Sequence, residues 1–157
     1  MTQAASVLVV DDEVGDLGWL LDIVENRDYK IRLATNEEEA RTRLLAVSQG
    51  HEAYVLAVVD VMMAIKDITA LAETDLDESF FDESRDSGIR VCRYARRELG
   101  ISASTLPIVC LTVRDDDQVK TAMAELEIPL FDRSPSTSSD EFRRVVESHL
   151  PLGPGAS

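Results

Sequence analysis

The stretch Ser6-Val-Leu-Val-Val-Asp-Asp-Glu13 decides the fold, because a short apolar run ends abruptly in three acidic residues. A continuous run of valine and leucine of this length is typical of a strand buried on both faces of a parallel sheet. The acids then stand at the carboxyl end of that strand. Ligands of open parallel sheets bind beyond the carboxyl ends of the strands, so the stretch predicts both a fold and the place of a site.

The rest of the chain repeats this pattern, with strand-like runs alternating with segments whose apolar residues recur at helical spacing. The further predicted strands are 30–34, 54–59, 107–112 and 128–131, and the predicted helices lie around 17–24, 36–50, 89–99, 115–126 and 139–150. Such alternation implies right-handed crossovers, and hence a five-stranded parallel sheet with helices on both faces. The run at 30–34 is the most polar of the five, as an edge strand would be.

Acidic and hydroxyl side chains follow three of the predicted strands. Asp11 and Asp12 follow the first, Asp60 the third, and Thr112 closes the fourth. Because parallel strands end at one edge of the sheet, we expect these residues to converge. Taken singly, Asp12 could be a helix N-cap, Asp60 a turn residue and Thr112 a cap.

A cluster of carboxylates needs a compensating charge, since neighbouring carboxylates raise one another's cost of ionising. Mg²⁺ is the expected cofactor, because it takes oxygen ligands and is commonly held by one or two carboxylates together with a phosphate. A carboxylate beside such an ion can act as nucleophile toward phosphorus and form an aspartyl phosphate. The cluster therefore indicates phosphoryl chemistry.

Three segments resemble the signature strands of bacterial response-regulator receiver domains, and the likeness covers nearly the whole chain outside 64–87. These segments are Val7-Leu-Val-Val-Asp-Asp-Glu13, Val58-Val-Asp-Val-Met-Met63 and Pro107-Ile-Val-Cys-Leu-Thr112. The resemblance implies a flavodoxin-like, doubly wound sheet of order 2-1-3-4-5. It further implies the following roles: Asp11 and Asp12 as the acidic metal pair, Asp60 as phosphoacceptor and metal ligand, Met62 as a backbone-carbonyl ligand, Thr112 as switch hydroxyl and Phe131 as the aromatic switch residue.

The sequence departs from the family pattern near the fifth strand. The family has a lysine before a proline there, and this position is Ser134, before Pro135. Losing one charge-assisted hydrogen bond costs about 1.5–3 kcal/mol, which would weaken the coupling between phosphorylation and shape change. Val113, where the family has a small residue, and Ala64, where it has proline, are two smaller departures.

A long acidic segment, 64–87, stands where the family has a short loop. Residues 65–87 hold eight acids and two bases, a net charge of −6. One interpretation is a solvated excursion from the domain. The other is that Phe80-Phe81 anchors the segment over the pocket or on a partner protein.

Composition limits the remaining possibilities. With 157 residues, 45% of them apolar, the chain fits one domain at 1–150 and a flexible tail at 151–157. The net charge of −14 argues against direct nucleic-acid or membrane-surface binding. Neither a signal peptide nor a membrane span is evident, so we expect a cytoplasmic location. Cys92 and Cys110 lie in apolar stretches and predict buried, reduced thiols.

Three functions remain open at this stage. The first is a two-component signalling switch, not an enzyme, phosphorylated on Asp60 by a sensor histidine kinase or phosphotransfer protein and acting on a downstream protein. No output domain follows Leu150, so we expect a single-domain regulator or a receiver from a longer protein; a homodimer is conceivable by family analogy. The second is a phosphorylation-independent interaction module that uses 64–87. The third is a phosphohydrolase, disfavoured because Met62 stands where a general acid is needed.

Overall fold

A computed structural model describes residues 5–12, 18–61, 87–112, 117–132 and 139–150 of the chain. Five strands lie in this part: β1 Ser6–Val10, β2 Lys30–Ala34, β3 Leu56–Asp60, β4 Ile108–Thr112 and β5 Leu130–Asp132. They form one parallel sheet in the order β2-β1-β3-β4-β5. The predicted fold class and strand order are therefore confirmed.

The helices of the described part are α1 Gly18–Asn26, α2 Glu37–Ser48, α3 Ser87–Arg93, α4 Asp117–Glu125 and α5 Ser139–His149. They cover the two faces of the sheet and enclose a separate apolar cluster on each. One cluster includes Ala40 and Leu44 of α2, Ile89 and Val91 of α3, and Val119 and Met123 of α4. The other includes Leu20 and Val24 of α1 with Phe142 and Val146 of α5. Strands β1, β3 and β4 lie between them and are almost wholly buried, as their continuous apolar sequences predict.

Strand β2 lies at one edge of the sheet, where the sequence placed it. Its side chains are largely exposed apart from Ala34, whereas every residue of β3 is buried. Helix α2 follows at once, with Asn36 as its N-cap. The Asn36 side chain accepts a hydrogen bond from the Glu39 amide at 2.9 Å, and the helix is followed by Gly50 with a φ of +77°.

Some element bounds differ from those predicted. Strand β3 begins at Leu56 instead of 54, and the hydroxyl of Tyr54 is hydrogen-bonded to Glu52 just before the strand. Strand β5 begins at Leu130 instead of 128, because the Ile128 amide still bonds to the Met123 carbonyl at the end of α4. The predicted helix at 89–99 is α3 followed by a π-helical turn, Tyr94–Glu98, that apolar spacing alone does not reveal.

Within the described residues, none of the helices combines the length and the apolar character that crossing a membrane requires.

Candidate metal centre

The site lies where the central strands end. Asp11 directly follows β1 and Asp60 is the last residue of β3, and these strands are hydrogen-bonded neighbours with Val10 opposite Val59. Backbone hydrogen bonds to the outer neighbours, β2 and β4, also fix this part of the chain. The Asp11 amide bonds to the Ala34 carbonyl at 3.0 Å, and the Val61 amide bonds to the Leu111 carbonyl at 3.0 Å. The backbone of the site is therefore part of the rigid sheet.

Three carboxylates meet at this edge. Asp11, Asp12 and Asp60 each offer an oxygen, and these oxygens all lie within 4.8 Å of one another. Asp11 and Asp60 are buried, with 1% and 7% of their surface exposed, and Asp12 is accessible to solvent. Of the residues predicted for the site, these three are thus brought together as expected.

The donor set fits Mg²⁺. With metal–oxygen bonds of about 2.1 Å, two ligands of one ion stand at most about 4.2 Å apart, so a separation of up to 4.8 Å needs a small side-chain adjustment or one bridging water. Three carboxylates and no soft ligand suit a hard cation. Buried like charges at this spacing are also costly without a positive charge nearby. Asp11, Asp12 and Asp60 are therefore the residues that could hold the ion.

Thr112 lies at the same edge, on the other side of Asp60. It is the last residue of β4, and its neighbour Leu111 pairs with Asp60 across the ladder. Its side chain is 3% exposed. Asp60 is thus the central residue of the edge, with the acidic pair on the β1 side and a buried hydroxyl residue on the β4 side.

Phe131 lies on the opposite face of the sheet from Thr112. It pairs with Leu111 across the β4–β5 ladder, and Thr112 pairs with Asp132. Paired residues of parallel strands point to the same face, so Phe131 shares the face of Leu111 and not that of Thr112. Its ring packs edge-on against Phe142 of α5, with centroids 5.2 Å apart. Its role as a switch residue stays a prediction.

The remaining predictions about the site fall outside the described residues. These are the Met62 carbonyl, Ser134 at the family's lysine position, Val113, Ala64, and the segment 64–87 with Phe80-Phe81, of which only Ser87 is described. The roles assigned to them stay predictions, as do the domain limits and the tail at 151–157.

The end of the inserted segment returns to the site, which the sequence did not reveal. The Gly88 amide donates to the Val61 carbonyl at 2.8 Å, and the Ser87 hydroxyl lies 3.5 Å from the same oxygen. Gly88 is buried in the first turn of α3. The sequence contained one indication of this contact: Gly88 stands at the start of a helix, and glycine is unfavourable in helices.

Comparison with known proteins supports the fold. No protein-family model and no curated protein matches the sequence. Solved structures do match. A receiver domain protein of Methanospirillum hungatei shares 15% identity over 94% of each chain, with a TM-score of 0.59.

Two further matches were solved with ligands. Response regulator TrrA of Thermotoga maritima, in complex with Mg²⁺ and BeF, shares 19% identity over 93% of this chain and 99% of its own, with a TM-score of 0.58. A response regulator of Burkholderia pseudomallei, with a phosphorylated aspartic acid and a calcium ion, shares 18% identity over 94% of this chain and 75% of its own, with a TM-score of 0.56. The chain therefore has the fold of the response-regulator receiver domains.

Proposed function

We propose that this domain accepts a phosphoryl group on Asp60 in the presence of Mg²⁺ and thereby changes its binding to a partner protein. The observation that carries the proposal is the meeting of Asp11, Asp12 and Asp60 within 4.8 Å at the carboxyl edge of a receiver-type sheet. The expected donor is a phosphohistidine on a sensor kinase or phosphotransfer protein. This donor follows from the family resemblance.

Asp60 is the best placed of the three carboxylates to be the nucleophile. It lies between the acidic pair beside β1 and Thr112 at the end of β4, so a phosphoryl group on it could meet a cation on one side and a hydroxyl on the other. In the transfer, an oxygen of Asp60 forms a bond to phosphorus as the donor's P–N bond breaks. The departing imidazole keeps the electron pair and takes up a proton.

The other residues provide binding and charge compensation. Asp11 and Asp12 would hold Mg²⁺, which when bound offsets the negative charge of the transferring group. Thr112 could donate a hydrogen bond to a phosphoryl oxygen. Phosphorylation replaces the single charge of the Asp60 carboxylate with the roughly two charges of a phosphoryl group and adds strong acceptor oxygens at a buried edge, enough to bias a local conformational equilibrium.

A second function, an interaction module that works without phosphorylation, is favoured by one observation. Phe131 packs on Phe142 and pairs with Leu111 across the β4–β5 ladder, so its ring lies on the face of the sheet opposite to Thr112. In such a module the cation site could persist, but phosphorylation of Asp60 would not change the conformation of the surface formed by β5 and α5. The phosphohydrolase remains the least supported alternative.

One experiment separates these functions. The protein is incubated with Mg²⁺ and acetyl phosphate, and intact-mass spectrometry follows a gain of one phosphoryl group that is stable to acid and labile to base. Asp60→Asn should abolish the gain. Asp28→Asn is the matched control, because Asp28 is exposed and its φ of +64° suits asparagine.

Each outcome has a distinct meaning. A gain that depends on both Mg²⁺ and Asp60 supports the switch. No gain in the unmodified chain contradicts it and favours the interaction module, and steady release of phosphate over many turnovers favours the hydrolase.

A further inference from the structure

Gly88 packs directly against the backbone of the candidate phosphoacceptor. A Cβ atom built on Gly88 would lie 2.2 Å from the Asp60 carbonyl oxygen, 2.4 Å from the Val61 Cα and 2.9 Å from the Asp60 carbonyl carbon. All three are backbone atoms, so no side-chain rotation could relieve the contact. Separations this short are not tolerated in packed interiors, so any other residue at 88 must displace one of the two backbones.

The strand side of this contact is held firmly. Strand β3 pairs with β1 on one side and β4 on the other, and the Val61 amide continues the β4 ladder through the Leu111 carbonyl. Moving the Asp60 carbonyl would therefore strain a ladder in the centre of the sheet. It would also move the Asp60 side chain relative to Asp11 and Asp12.

The helix side is also held. Ile89, Val91 and Cys92 of α3 are buried in the cluster beneath α2 and α4. On the outer side, the Arg90 Nε donates to a Glu37 carboxylate oxygen of α2 at 2.7 Å. Helix α3 cannot withdraw from β3 without losing buried contacts and this ion pair. The displacement caused by a larger residue would thus be shared between α3 and Asp60.

We propose that Gly88 is a positioning residue for Asp60. The absence of a side chain at 88 lets α3 begin directly against the Asp60 backbone. The Asp60 carboxylate thereby stays close enough to those of Asp11 and Asp12 for the three to bind one cation. This inference deepens the proposed function and rests on it. Gly88 is not one of the candidate cation ligands and would act only through Asp60.

The test is the Mg²⁺ affinity of Gly88→Ala, measured by calorimetry on the full chain. Groups that orient metal ligands typically change affinity by roughly 10–100-fold when altered, and a weakening in this range is expected here. Two other glycines serve as controls, since an added Cβ at Gly18 or Gly50 would meet no atom within 4 Å.

The two controls isolate different effects. Gly18→Ala should raise the melting temperature slightly, because alanine favours a helix more than glycine does, and should leave the Mg²⁺ affinity unchanged. Gly50→Ala should lower the melting temperature, because Gly50 has a φ of +77°, but should leave the affinity unchanged. A merely structural role for Gly88 would make Gly88→Ala behave like Gly50→Ala. Weakened affinity together with an altered Val61 amide resonance supports the positioning role.

The outcomes distinguish this inference from the proposed function. If the unmodified chain binds Mg²⁺ no better than Asp60→Asn, the proposed function fails. If the unmodified chain binds and Gly88→Ala binds equally well, only the positioning role is overturned. Should Gly88→Ala unfold, all variants are measured in trimethylamine N-oxide, which favours the folded state. A chain that stays unfolded there contradicts the proposal, since the strain would then act on the whole fold.

Discussion

At the scale of single residues, two thiols lie in the core near the candidate site. The Sγ atom of Cys110 is 3.5 Å from that of Cys92 and 3.7 Å from the Met123 sulfur. Both cysteines are free and fully buried, which confirms the expected burial. The hydrogen bond with Cys92, burial and the nearby Asp60 carboxylate raise the pKa of the Cys110 thiol well above its usual value. Thiols in such surroundings are poor nucleophiles.

We therefore predict that neither cysteine reacts with a thiol-specific disulfide reagent in the folded protein. Labelling should wait for opening of the core, so it should be slow in the folded protein and reach two equivalents rapidly only in denaturant, matching the two cysteines of the chain. The time course of absorbance at neutral pH measures this. Rapid labelling of either thiol without denaturant would show that the core opens far more readily than its packing indicates.

Tyr54 and Glu52 form a second residue-scale feature, at the start of β3 and remote from the site. Tyr54 donates a hydrogen bond to Glu52, which also accepts one from Arg43 at 2.8 Å. Burial and this hydrogen bond raise the pKa of Tyr54 to about 12. Burial opposes ionisation of Glu52, but the hydrogen bonds from Tyr54 and Arg43 outweigh it and lower the Glu52 pKa.

Tyr54→Phe should lower the free energy of unfolding by about 1–2 kcal/mol near neutral pH. A raised tyrosine pKa favours the neutral, folded form, so this contribution is complete below the unfolded value of 10.0. It should fade as the pH rises from 10.0 to about 12, the folded value. Urea titrations of both proteins across this range measure the difference. A difference independent of pH would contradict the assignment.

The candidate site was largely predictable at this scale, because one rule of topology places the ends of neighbouring parallel strands together. That rule gave Asp11, Asp12, Asp60 and Thr112 from their positions after apolar runs. The rule could not identify Gly88 as a positioning residue, because that role depends on a close contact with Asp60, which lies 28 positions earlier in the sequence. Nor could it give the direction of Phe131, which depends on the β4–β5 register.

At the scale of elements, Arg27 joins the ends of α1 and α5. Its Nη1 donates to the Leu150 carbonyl at 2.8 Å, and its Nη2 lies 3.2 Å from a Glu147 oxygen. The arginine is three-quarters buried, with 24% of its side chain exposed. Glu147 also pairs with Arg143 one helical turn earlier, but the Arg143 side chain is 58% exposed. The same carboxylate thus has one sheltered partner and one solvated partner.

Arg27→Met should reduce the free energy of unfolding by about 1–2 kcal/mol, since it removes a charge-assisted hydrogen bond to a helix-end carbonyl. Arg143→Met should change it by about 0.5 kcal/mol or less, as exposed pairs one helical turn apart do. Hydrogen exchange should also show faster opening of α5 in Arg27→Met. Equal effects of the two substitutions would mean that the burial of Arg27 does not strengthen its contribution to the free energy of unfolding.

Apolar spacing predicted the existence and type of the five strands and five α-helices of the described part, but not all of their bounds. Alternation and buried runs are local properties, so they can be read from sequence. The π-helical turn Tyr94–Glu98 is different, because its backbone hydrogen bonds, such as Leu99 N to Tyr94 O, give no separate sequence signal. The early end of α4 and the late start of β5 likewise depend on one capping hydrogen bond, from the Ile128 amide to the Met123 carbonyl, at a turn where Glu127 and not a glycine has a φ of +57°.

At the scale of the whole molecule, two apolar clusters lie on opposite faces of one sheet. The three aspartates of the candidate site lie at a single edge of that sheet. Continuous apolar strands require both faces to be covered, which is why the sequence predicted a doubly wound sheet. The strand order came from resemblance to a family, because periodicity does not fix the order of parallel strands. At that edge we expect Asp11, Asp12 and Asp60 to bind one cation between the ends of β1 and β3.

Paramagnetic broadening by Mn²⁺, which takes the same oxygen ligands as Mg²⁺, tests this claim most directly. In amide NMR spectra, substoichiometric Mn²⁺ should first erase the signals of Asp11, Asp12, Asp60 and Val61, and excess Mg²⁺ should restore them. Asp60→Asn should lose the effect. Broadening centred instead on the acidic first turn of α2, Glu37 to Glu39, or insensitive to Mg²⁺, would contradict the account.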